Sequence, residues 1–155
     1  MQQHVLIIEN GESNLELIAK LVRRAGLTPV GATSLTEGKA RFKQNMPETF
    51  LCAIVAYSLP DAQQGQAIDF AINAFIPTIA TTESLDNDIR DKVLERDVVD
   101  YVPKENSQNY DYLSRLIGRL EKINLPVLSS LALIAYCEHE PYHYFSAITS
   151  LHLSA

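Results

Sequence analysis

Short, continuous apolar runs alternate along this chain with longer stretches whose apolar residues recur at helical spacing. The first run, VLII at 5–8, is rich in β-branched residues, as expected of a strand buried on both faces. It ends in Glu9-Asn10-Gly11, a loop signal. Ser13 and Glu16 have the spacing of a capping box, and Leu15, Ile18, Leu21, Val22 and Ala25 then form one helical face. Gly26 fits the stop. The cycle repeats: a strand over 28–32, a helix opened by Ser34 and Glu37, and a strand over 50–55. A helix over 66–74 follows, then a strand over 78–81 and a charged amphipathic helix over 86–96. The last pair is a strand over 98–102 and a helix over 107–123.

Five strands alternating with five helices predict βαβ units and a parallel sheet covered on both faces. In such sheets the functional crevice lies beyond the carboxyl ends of the strands. Those ends present Glu9 and Asn10, then Ala56, Thr82 and Lys104. Ala56 stands out because it brings no chemistry to a position where a reactive group is expected.

Composition narrows the class without changing the fold. The chain has 155 residues, 46% of them hydrophobic, enough for a core without staples. A net charge of −6 argues against non-specific binding to nucleic acid or anionic membranes. Cys52 and Cys137 form no CxxC pair, and Cys52 reads as a small hydrophobe in a strand. The amino terminus lacks the basic flank of a signal peptide, and the run from 125 to 137 is too short to span a bilayer. A cytoplasmic location is the expectation. A flavodoxin-type cofactor binder is disfavoured, since no glycine-rich phosphate loop follows the first strand.

The segments VLIIENGESN, SLPDAQQG, IPTIATTES and VVDYVPKE, in this order and spacing, resemble a response-regulator receiver domain over residues 4–123. The SLPDA and VVDYVPK wording further resembles the first receiver of tandem-receiver signalling proteins that carry a diguanylate cyclase. The resemblance implies an α/β, flavodoxin-like doubly wound (βα)5 fold with a five-stranded parallel sheet. It implies a role in two-component phosphorelay signalling. The family's two acidic metal-binding positions fall on Glu9 and Asn10, and its phospho-accepting aspartate on Ala56. Its hydroxyl switch falls on Thr82, its aromatic switch on Tyr101 and its lysine on Lys104.

Physical chemistry limits what carries over. Alanine has no oxygen to accept a phosphoryl group. Magnesium prefers several oxygen ligands, usually with carboxylates, and Glu9 is the one carboxylate left of the trio. The expectation is therefore a pseudo-receiver that needs no cofactor, binds magnesium weakly or not at all, and is not an enzyme. It acts by protein–protein contact with a histidine kinase, an output domain such as a diguanylate cyclase, or a second copy of itself. Lys104 is expected to pair with Glu9, and Thr82 and Tyr101 also fit simple strand-end packing. The alternative is a working receiver with a displaced phosphosite at Asp61, with Ser58 also nearby, but the loop position misplaces in-line attack and Asp61 fits a turn cap better, with Pro60 before it.

The tail contains HEPYH, a formal HExxH: His139, Glu140 and His143. On a helix this pattern would bind zinc and supply a hydrolytic base, but Pro141 between the histidines opposes that helix. Residues 124–155 read instead as a C-terminal βα extension, patterned like the first βα unit of a truncated second receiver, with Glu138-His139 matching Glu9-Asn10.

Overall fold

The computed structural model of the chain describes residues 3–45, 49–83 and 86–122. The element order is β1 His4–Ile8, α1 Glu12–Arg24, β2 Thr28–Ala32, α2 Leu35–Gln44, β3 Phe50–Ala56, α3 Gln66–Asn73, β4 Thr78–Thr82, α4 Asn87–Leu94 and β5 Asp100–Pro103. A fifth helix, α5, covers 107–122. All neighbouring strands are parallel, in the order β2-β1-β3-β4-β5. This is the doubly wound α/β arrangement expected from the alternation. The tail motif His139-Glu140-His143 and the proposed extension at 124–155 lie outside the described residues.

Side-chain alternation along the strands builds two cores, one on each face of the sheet. Leu6, Ile8, Ala53, Val55 and Ala80 pack with α3 and with Val93 of α4. Val5, Ile7, Ile54, Ile79 and Val102 face α1 and α5, where they meet Ile18, Val22, Leu113 and Ile117. The continuous apolar runs are continuous for this reason: every residue of β3 is buried. Cys52 is one of them, and burial pushes its thiol up to about 12, so it packs as a hydrophobe.

Two local expectations need correction. The capping box at Ser13 and Glu16 does not form. The Glu9 carboxylate takes the Gly11 amide at 3.0 Å, the chain turns sooner, and α1 starts at Glu12 with Gly11 as its cap. Ser13 then sits inside the first turn, and Glu16 pairs with Arg23 at 3.2 Å. The last strand begins at Asp100 rather than 98, because the Val98 amide folds back onto the Arg96 carbonyl at 2.8 Å. At α2 the Ser34 hydroxyl does accept the Glu37 amide at 3.1 Å, but Glu37 reaches back one residue further, to the Thr33 amide at 2.7 Å.

Helices α1 and α3 end alike. After α1, Leu27 donates to the Val22 carbonyl at 3.2 Å and Gly26 to that of Arg23 at 3.0 Å, with Gly26 at φ +78°. After α3, Ile76 donates to Ala71 at 3.1 Å and Phe75 to Ile72 at 2.9 Å, but the left-handed residue is Phe75, at φ +58°. A phenylalanine there is strained, and its ring is 86% exposed, so little packing offsets the strain. Phe75→Gly should therefore raise stability by about 1 kcal/mol. Urea denaturation checks this; an unchanged or lower midpoint would show that the ring is held by contacts worth more than the strain.

Candidate functional site

The strand order reverses between β1 and β3, and the carboxyl ends of β1, β3, β4 and β5 converge there. A cavity of about 220 Å³ opens at this point. Its walls are Asn10, Ala56, Tyr57, Ser58, Thr81, Thr82, Glu83, Ile89 and Lys104. Asn10, Ala56, Thr82 and Lys104 are thus brought together on one wall, with the Ala56 methyl buried at 2% exposure.

Glu9 is not on that wall. It lies behind it, 1% exposed, and both of its oxygens are committed. Oε1 accepts from the Gly11 amide at 3.0 Å, and Oε2 accepts from Lys104 Nζ at 2.6 Å. The Lys104 side chain is itself only 6% exposed, so the pair has little contact with solvent although Lys104 reaches the cavity wall. A second carboxylate, Glu83, stands 3.7 Å from the same nitrogen but is 76% exposed, and solvent screens its contribution. The Lys104 backbone is fixed as well, its amide donating to the Thr82 carbonyl at 2.8 Å.

Tyr101 does not line the cavity. Its hydroxyl shares a 3.0 Å hydrogen bond with that of Thr82, which ties the two residues together across β4 and β5. On the other face of the sheet, Tyr110 of α5 donates to Asn14 of α1 at 3.1 Å. Burial, and then the negative charge of Glu9, push the Tyr110 hydroxyl above its ordinary range.

Asp61 lies away from the cavity wall. Its carboxylate caps α2 across a long sequence separation: Oδ1 accepts from the Leu35 amide, and Oδ2 from the Thr36 amide and hydroxyl, each at 2.9 Å. Those hydrogen bonds, the Thr36 amide first, hold the carboxyl below its usual range. The sequence reading of Asp61 as the cap of its own turn is corrected in partner, since the helix it caps begins 26 residues earlier. Thr81, Glu83 and Ile89 were not foreseen as wall residues. Glu83 directly follows Thr82, so extending the strand end by one residue would have found it; Ile89 arrives from α4 with no local signal.

No family model matches this sequence, and no curated protein matches it either. Solved structures do resemble it. Two are two-component system response regulator/GGDEF domain proteins, 24% and 25% identical, with TM-scores of 0.65 and 0.66. They align over 76% and 77% of this chain, which spans only 47% and 48% of theirs. A third, a response regulator receiver domain protein from Clostridium thermocellum, is 20% identical with a TM-score of 0.68 and aligns over 81% of this chain and 98% of its own. The fold is that of the response-regulator receiver. The receiver fold thus accounts for the described strands and helices, and no described helix is long and apolar enough to cross a membrane.

Two outcomes follow from the geometry. Lys104→Met leaves the Glu9 charge buried without its partner and should cost about 3 kcal/mol or more. Adding Glu9→Gln should recover part of that loss, and urea denaturation of the three proteins checks the order. For Asp61, a carboxyl lowered by folding stabilises above the ordinary carboxylate range, and that contribution is lost as pH falls through it. The thermal midpoint of the unmodified protein should exceed that of Asp61→Asn at neutral pH, and the gap should close on acidification.

Proposed function

We propose that this chain is a pseudo-receiver: a receiver-fold signalling domain of a two-component pathway that takes no phosphate at the usual position and works by protein–protein contact. The observation that carries this reading is the end of β3, where a buried alanine faces a cavity whose lysine is already paired. Phosphoryl transfer to a carboxylate requires a nucleophilic oxygen, a divalent cation and a free cationic group to neutralise the developing charge. Ala56 removes the first requirement. Asn10 offers a neutral amide in place of a charge, and Glu9 has both oxygens engaged, which together fit magnesium poorly. Lys104 would have to abandon a 2.6 Å ion pair to serve as the third.

The displaced-phosphosite alternative is weaker on the same grounds. Attack from Asp61 would break three hydrogen bonds at the start of α2 and begin outside the cavity. In the preferred reading the domain is non-enzymatic and cytoplasmic, and its partners are a histidine kinase, an output domain of the diguanylate cyclase kind or a second copy. The GGDEF-bearing structural neighbours support the output-domain partner. Without a phosphoryl switch, its conformational state is set by whichever partner binds one state better.

Incubation with acetyl phosphate and magnesium followed by intact-mass measurement tests this. The unmodified protein should gain no mass. Ala56→Asp alone should label poorly, and Ala56→Asp with Asn10→Asp should label better. A stable phosphoryl adduct on the unmodified chain would overturn the reading, and its loss in Asp61→Asn would place the site at Asp61.

A further inference from the structure

Helix α4 is weakly held by the core. It spans Asn87–Leu94, and Val93 is its one buried residue. Besides Val93, its far end is fastened by Arg96, two residues beyond the helix. Nη1 donates to the Lys92 carbonyl in the last turn at 2.6 Å. Nη2 donates to the Gln64 carbonyl, in the loop joining β3 to α3, at 2.9 Å. Nε donates to Asp69 of α3 at 2.7 Å. The guanidinium also lies over the ring of Tyr57, a wall residue of the cavity, 5.9 Å from its centroid.

The loop is shaped to admit this side chain. Gly65 sits at φ +79°, and a Cβ there would meet Arg96 Nη2 at 2.9 Å and the Tyr57 ring at 3.0 Å. Any other residue would therefore be strained and would also press directly on the guanidinium. The Asp69 carboxylate is 47% exposed and the Arg96 side chain 22%, so water partly screens their ion pair. The Lys92 bond ties Arg96 to the last turn of α4, and the Gln64 and Asp69 bonds carry that attachment across to the loop and to α3.

We propose that Arg96 is a latch coupling the loop that walls the cavity to α4, so that displacing either one loosens the other. Arg96 acts as a positioning residue, and the coupling does not depend on whether the cavity takes phosphate. A planar fork can serve the three acceptors at once, which a lysine ammonium cannot. A partner that binds α4 and draws Arg96 away would free the loop, and a partner pulling on the loop would release the last turn of α4.

Hydrogen exchange read by mass spectrometry on the whole chain tests the latch. Arg96→Lys should raise exchange in both 57–65 and 87–95 by about tenfold or more, while β3 keeps its protection. Gly65→Ala, a change in the loop, should also raise exchange in 87–95. Asp69→Asn keeps an oxygen that can accept from Nε and spares the carbonyl bonds, so it should raise exchange in both segments less than Arg96→Lys does. Loosening of one segment alone by Arg96→Lys would overturn the proposal. So would a Gly65→Ala effect confined to the loop, or a rise that includes β3 and reports general destabilisation.

Discussion

The arrangement at the top of the sheet depends on one buried ion pair. Glu9 closes β1 and Lys104 follows β5, and they meet at 2.6 Å with almost no access to water. A charge buried in this way is tolerated only when it is paired and its remaining lone pairs are satisfied. Glu9 meets both conditions by adding the Gly11 amide, and that same bond sets where α1 begins. The pair therefore fixes the first helix start, joins the ends of two non-adjacent strands and uses up the cation that the cavity would otherwise present.

The alanine at position 56 is consistent with this pairing. With no carboxylate at the end of β3, Lys104 has Glu9 as its close partner and an exposed Glu83 further off. Asn10 then adds no charge that would compete for the lysine or attract a cation. The Thr82–Tyr101 hydrogen bond stands beside the cavity and joins β4 to β5. In the proposed reading, control of the domain's state passes from phosphoryl transfer to partner binding.

Most of the fold was legible in the chain because local signals and long-range packing agree. The continuous run from Phe50 to Val55 could only be a strand buried on both faces, and β3 is fully buried. Where they disagreed, the tertiary contact won. The capping box at Ser13 and Glu16 is a sound local signal, yet Glu9 reached Gly11 first. The helix end before Phe75 was legible, but its left-handed conformation was not, since nothing in the sequence marks a phenylalanine for that region. At the site, strand ends identified Asn10, Ala56, Thr82 and Lys104 as neighbours, since topology alone brings strand ends together. Asp61 and Arg96 were not legible in this way. Apart from Lys92, their partners lie 25 to 32 residues away in the chain, on elements whose approach is set by packing.

With no acceptor at Ala56 and Lys104 paired to Glu9, the cavity should be closed to phosphoryl chemistry. Backbone amide shifts, followed by NMR while magnesium and then beryllofluoride are added, test it most directly. The amides of Glu9 to Gly11, Ala56 to Ser58, Thr82 and Lys104 should stay in place throughout. Saturable movement of those amides, with Tyr101 following, would contradict the account and return the domain to the phosphate-responsive receivers.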